Sequence, residues 1–168
     1  IDAVLLGQGM TAYGPLQRNI YNNENVEHYD YNPEKSKEIL EAAGCEMGDD
    51  GFYYRDGEKV GFVISVSAGD QVRIDMAQIA AQELKEIGMD VQINATADHN
   101  TICKDPAAWD VYVGANVNCG LGDPTNFFST HCLDASTKNR GQYHSDKLEE
   151  LAVQLNSTFD TTERNQIA

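Results

Sequence analysis

Apolar and polar positions along the chain change period several times, and each change marks an element. From Asp70 to Ile87, the residues Val72, Met76, Ile79, Ala80, Leu84 and Ile87 fall at i, i+4, i+7, i+8, i+12 and i+15 and stop at Gly88. That stripe predicts a long helix with its apolar side on a core. Met89 to Ala97 then alternates, with Met89, Val91, Ile93 and Ala95 against Asp90, Gln92, Asn94 and Thr96, which predicts a strand with one wet face. A short helix near 100–105 leads to Trp109, after which Val111, Val113 and Ala115 carry the apolar positions until asparagines and glycines take over. This predicts a buried strand opening onto an uncrowded loop of polar amides, the profile of a ligand floor. Asp123 and Pro124 close that loop as N-cap and first helical residue, because a carboxylate there accepts orphan amide protons and proline has none to lose.

The remaining segments are shorter. Ile1 to Leu6 reads as the last turns of a helix ending at Gly7. Residues 8–31, with Gly9, Gly14, Pro15, Tyr21, Asn22, Asn23, Tyr29 and Tyr31, lack a period and predict a long surface loop, a kind of segment that often carries function. Asn32-Pro33-Glu34 starts a helix with Ile39, Leu40 and Ala43 on one side and Gly44 at its end. Phe52 to Tyr54 and Val60 to Val66 flank Arg55-Asp56-Gly57 and predict a hairpin. Asp49-Asp50-Gly51 predicts a turn, since a calcium loop needs further ligands. Leu148, Leu151, Ala152 and Leu155 predict a helix over 145–155, and Asp160-Thr-Thr-Glu163 is a capping-box pattern opening another. Strand-helix-strand alternation predicts an α/β layered fold, a mixed sheet with helices on both faces and at least one parallel pair. Ligands in such sheets sit beyond the carboxyl ends of the strands, where Asn116 to Gly122 fall.

At 168 residues the chain reads as one domain able to bury about 70% of the surface it exposes when unfolded. Twelve basic against 27 acidic side chains give a net charge of -15, which repels phosphate backbones and anionic headgroups and argues against nucleic acid as a partner. The acids between Glu24 and Glu58 read as a solvated face. No stretch approaches the roughly 20 apolar residues of a membrane helix. The chain opens at Ile1 without a methionine or signal segment, and the helix begun at Asp160 reaches only Ala168. Both ends therefore predict a piece cut from a longer protein.

Candidate chemistry is sparse. Cys45, Cys103, Cys119 and Cys132 are widely spaced, without a Cys-x-x-Cys pair, and read as small hydrophobes, although Cys119 and Cys132 would close a short loop. Gly7-Gln-Gly9-Met-Thr-Ala12 fits the loose dinucleotide pattern, the starting point of an alternative reading as a nucleotide-using enzyme. It lacks the preceding strand and following helix, because Tyr13-Gly14-Pro15 breaks any helix. His28, His99, His131 and His144 are scattered and read as solvated or capping, with His131 alone able to face the loop after Trp109 and so the one metal candidate. Neither a nucleophile elbow nor a Cys-His pair marks an enzyme, and no cofactor is implied. A third reading is an acidic interaction domain using the Glu24 to Glu58 face.

The succession Tyr31-Asn-Pro-Glu-Lys-Ser-Lys-Glu-Ile-Leu-Glu-Ala-Ala-Gly44, then Ala77-Gln-Ile-Ala-Ala-Gln-Glu-Leu-Lys-Glu-Ile-Gly-Met-Asp-Val-Gln92, Trp109-Asp110, Asp123-Pro-Thr-Asn-Phe127 and Tyr143-His-Ser-Asp-Lys-Leu148 resembles the family 5 extracellular solute-binding proteins. These are the peptide- and nickel-capturing receptors of bacterial ABC importers. The resemblance implies a lobe of the type II periplasmic-binding-protein-like fold. Residues 1–168 would then be most of the C-terminal lobe of a two-lobed receptor that closes by hinge motion and delivers its ligand to a membrane permease. It implies an extracytoplasmic location, in the periplasm or on the cell surface as a lipoprotein, and an N-terminal lobe as a further partner. In peptide-binding members the loop after the Trp109-like strand carries an aromatic residue and an acid that grips the peptide amine. Here that stretch is Asn116-Val-Asn-Cys-Gly120, without a carboxylate or large aromatic before Asp123. The ligand wall implied is Asn116, Asn118, Cys119 and Gly120, with Met10 and Tyr13 as a second wall. For nickel-type members the resemblance implies His131 as the candidate equivalent of their histidine.

Overall fold

The computed structural model describes residues 2–116 and 122–168. The chain forms two compact units, Ile1–Gly9 with Asp30–Gly114 and Met10–Tyr29 with Ala115–Ala168. In the first, α1 (Asp2–Leu5) ends where Gly7 takes a φ of +76°. Helix α2 (Pro33–Ala42) starts as the cap-and-proline pattern predicts, with the Asn32 side chain accepting the Lys35 amide. An antiparallel sheet follows in the order β1 (Glu46–Met47), β2 (Tyr53–Arg55), β3 (Glu58–Lys59). Arg55 faces Glu58 across the two-residue turn Asp56-Gly57, and both turn residues have positive φ, as a type I′ reversal demands. The Asp49-Asp50-Gly51 cluster is a turn: Asp50 accepts the Phe52 amide, the Tyr54 hydroxyl and the Lys59 ammonium.

The second strand of the predicted hairpin does not continue to Val66. Val60 donates its amide to Tyr53 and accepts from Asp90 through its carbonyl, so it transfers the chain from one sheet to the next. Gly61 permits the crossing, since a Cβ there would lie 2.0 Å from the Asp90 carbonyl oxygen. From Gly61 the chain is β4 (Gly61–Ser67), the centre of an all-parallel sheet ordered β5 (Asp90–Thr96), β4, β6 (Val111–Tyr112). Parallel and antiparallel pairs therefore occupy separate sheets in the described residues. Ile64, Ser65 and Val66 are fully buried, as a strand flanked on both sides should be.

Helix α3 (Gln71–Glu86) joins β4 to β5, capped by the Asp70 carboxylate on the Arg73 amide. Its bounds match the predicted stripe, but its buried side is rotated from it. Ala77 and Ala81 face the core with Ile64 and Val91, and Leu84 packs beside them. Val72, Met76 and Ile79 are 46%, 42% and 41% exposed. Two alanines one turn apart let the helix approach the sheet closely enough for Ile64 and Val91 to fill the interface, which leaves the larger side chains outside. The opposite sheet face carries the one-turn α4 (His99–Ile102).

In the second unit Met10–Tyr29 has neither helix nor strand, as predicted, and is held by buried Leu16 and Tyr21. Helix α5 (Thr125–His131), α6 (Asp146–Ser157) and α7 (Thr161–Ile167) follow. Ser145 caps α6 through the Leu148 amide, and Asp160 caps α7 through the Thr162 and Glu163 amides. Ala152 and Leu155 bury the inner side of α6.

Candidate functional site

The strand order fixes where a ligand site belongs. Helix α3 carries the chain from β4 to one neighbour, and the segment through α4 and a 3₁₀ turn at Pro106–Ala108 returns it to the other side of β4. The connections diverge between β4 and β6, and open parallel sheets bind ligands beyond the strand carboxyl ends at such a point. Strand β6 leaves the sheet there, its last ladder bond running from the Val113 amide to the Ser65 carbonyl.

The Trp109 strand is shorter and less buried than predicted. Among the described residues it pairs with β4 at Ile64 with Val111 and Ser65 with Tyr112, and Val111 on this edge is 37% exposed. Gly114 then stops it: the Tyr112 ring lies so close that a Cβ would meet it at 2.4 Å. Asp110 fixes the strand from below by accepting the Val63 amide at 2.8 Å. On the sheet face opposite α3, Tyr112 stacks on the His99 ring at 4.6 Å and meets Trp109 at 5.9 Å. His99 was expected to be solvated or a cap but is buried, with Nε2 3.2 Å from the Ser65 carbonyl oxygen. The Ser65 hydroxyl and the Trp109 Nε1 are buried without a partner among the described residues. Sequence gives no warning of this cluster, because His99 and Ser65 stand 34 positions apart.

Met10, Tyr13 and Asn116 fall in the same unit. Met10 is 55% exposed and Asn116 is exposed. Tyr13 is half-buried and stacks on His28 at 3.7 Å. Its amide donates to Gln17, whose side-chain amide returns to the Thr11 carbonyl, so this segment is a braced turn. Asn118, Cys119 and Gly120 lie outside the described residues.

Beyond them Asp123 is not the N-cap. Helix α5 begins at Thr125 after Pro124, and the Asp123 carboxylate accepts the Thr125 amide two residues on, an Asx-type turn. Arg164 from α7 meets the same carboxylate. One guanidinium nitrogen donates to both Asp123 oxygens at 2.9 and 3.0 Å and to the Thr125 hydroxyl at 3.1 Å. The other donates to the carbonyls of Leu155 and Thr158. The Thr125 hydroxyl and amide, then the Arg164 charge, hold the Asp123 carboxyl below its ordinary range.

His131, in the last turn of α5, lies against Phe127 with ring centroids 5.5 Å apart. Burial, with the Lys138 and Arg140 charges, lowers its pKa. Among the described residues no group of three His, Cys, Asp or Glu side chains is arranged to hold a metal ion. Cys45 and Cys103 are buried free thiols, and burial raises the pKa of Cys132. Gly7 terminates a helix rather than following a strand, so the dinucleotide pattern has no phosphate cradle.

A three-stranded parallel sheet with helices on both faces and an exit at its switch point is the core of the type II periplasmic-binding-protein-like fold. NikZ of Campylobacter jejuni, solved in complex with Ni(L-His), superposes on 99% of this chain and 34% of its own, with a TM-score of 0.79 and 24% identity. Residues 1–139 match the family described as Bacterial extracellular solute-binding proteins, family 5 Middle, and the chain belongs to that family. The oligopeptide-binding protein AppA of Bacillus subtilis is 34% identical over 96 residues, 55% of this chain and 18% of AppA. The nickel-binding protein NikA of Staphylococcus aureus is 25% identical over 136 residues, 81% of this chain and 27% of NikA. The chain thus spans less than a third of the length of either relative. No helix among the described residues is long and apolar enough to cross a membrane.

Proposed function

We propose that this chain is part of the C-terminal lobe of a substrate-binding receptor of an ABC importer, which captures a short peptide or a nickel chelate outside the cytoplasmic membrane. The observation that carries this is the family match over residues 1–139, with relatives named for oligopeptide and nickel binding. The ligand-facing stretch is 116–122, with Met10 to Tyr13 as a second wall. The parent receptor adds an N-terminal lobe and hands its ligand to a membrane permease, and it resides in the periplasm or on the cell surface as a membrane-anchored lipoprotein. Nothing favours the nucleotide-using enzyme or the Glu24 to Glu58 interaction face.

The composition of the loop shapes its specificity. A ligand ammonium buried against Asn116-Val-Asn-Cys-Gly120 finds amides but no carboxylate, and a buried unpaired charge costs several kcal/mol. The receptor therefore favours ligands whose amine is masked, as in a blocked peptide or a metal-bound amino acid. Calorimetry on the full-length receptor with free and N-acetylated pentapeptides and with nickel-histidine tests this. Acetylation is expected to strengthen binding about tenfold or more, and Asn118→Ala and Gly120→Trp to weaken it. Unchanged affinity in both variants overturns the loop assignment.

A further inference from the structure

Helix α3 has an outward stripe that the fold of its own unit leaves uncovered. Val72, Met76, Ile79, Glu83 and Glu86 follow one another at i, i+4, i+7, i+11 and i+14, so three exposed apolar side chains and then two carboxylates share one side of the helix. Helix α1 lies against α3, and between them runs an open groove of about 600 Å³. Ala3, Val4, Ile79 and the Tyr31 ring form its apolar lining.

The charge around this lining has one sign. Asp75, Glu83 and Glu86 border it, and no lysine or arginine does. Asp75 is met by the Gln71 side-chain amide and Glu86 by that of Gln82, and none of the three makes an ion pair among the described residues. Lys85, in the same turn, pairs with neither glutamate. Glu83 and Glu86 also stand at the carboxyl end of α3, where the helix dipole is itself negative. A cation brought to this end of the groove meets two attractive fields, and an aliphatic side chain beside it covers Ile79 and Met76.

We infer that this groove is a docking surface for a cationic amphipathic segment of a partner protein. The partner's apolar side chains lie along Val72, Met76 and Ile79, and its lysines or arginines meet Asp75, Glu83 and Glu86. This surface shares no residue with the ligand-facing stretch and does not depend on which solute the receptor carries.

The test is fluorescence anisotropy of the full chain with a labelled 14-residue Leu/Lys peptide of helical period and with its scrambled isomer. Charge reversal at Glu83→Lys with Glu86→Lys is expected to weaken binding about tenfold, by two lost surface pairs and two new repulsions. Ile79→Ser is expected to weaken it severalfold. Reversal at Glu46→Lys with Glu58→Lys changes net charge equally and is expected to leave it within twofold. Far-UV circular dichroism establishes that each variant is folded. Equal loss in the two reversals, equal binding of the scrambled isomer, or no binding to a longer form of the receptor overturns the proposal. The last result would mean that the receptor's own polypeptide occupies the groove.

Discussion

Arg164→Ala is expected to destabilise the second unit more than its surface position implies. The guanidinium is 13% exposed and ties three segments together: the end of α6 through the Leu155 and Thr158 carbonyls, the start of α5 through the Thr125 hydroxyl, and the turn before it through Asp123. Asp123 is 55% exposed, so its pairing is worth only about 0.5 kcal/mol, in the range of surface ion pairs. The two carbonyl bonds come from a largely covered charged donor and are worth about 1 kcal/mol each, and with the hydroxyl the loss is about 3 kcal/mol. For a chain of this size that lowers the calorimetric midpoint by roughly 6–12 °C. Arg164→Lys keeps the charge but not the planar fork, so it is expected to recover less than half of the loss. Asp123→Asn, which keeps an acceptor for the Thr125 amide, is expected to cost under about 1 kcal/mol. An alanine variant within 0.5 kcal/mol of the wild type, or full rescue by lysine, would refute this account of how α5, α6 and α7 are joined.

Gly61→Ala forces a Cβ against the Asp90 carbonyl, and a loss of about 3 kcal/mol or more is expected in urea unfolding, because backbone must move. Ile79→Ala on the exposed side of α3 is expected to cost under about 1 kcal/mol, whereas Ala77→Leu on the buried side is expected to cost about 1–3 kcal/mol; the reverse order would restore the stripe read from sequence. His144 Nδ1 lies 2.6 Å from Asp134 and Nε2 lies 3.4 Å from Asp146. The hydrogen bond to Asp134, then its charge, raises the His144 pKa. Its contribution to holding the loop before α6 is therefore complete below pH 6.5 and fades as pH rises through the raised value. NMR titration of the His144 ring should show this, with Asp134→Asn moving the midpoint back down, and a wild-type midpoint at or below 6.5 would contradict it.

Several elements were legible because their causes are local. Asn32, Asp70, Ser145 and Asp160 each cap the helix that follows through amides two or three residues away, and Asp56-Gly57 turns the chain by backbone conformation alone. The family resemblance was legible for the same reason, as a series of such elements in order. At the candidate site, Asp123 was marked by its place before Pro124, but its partner Arg164 is 41 residues away and carries no local signal.

Sequence alone determined where helices start, where turns fall and that strands and helices alternate, since caps, prolines, glycines and periodicity act within a few residues. Tertiary structure decided which neighbour each element met. Val60 leaves one sheet for another because the Asp90 amide is there to donate to its carbonyl, and α3 buries Ala77 and Ala81 because their small side chains allow close approach to Ile64 and Val91. His99 is covered because Tyr112 and Ser65 arrive beside it from distant strands. Such choices depend on the shape and register of residues far away in the chain, which no local pattern encodes.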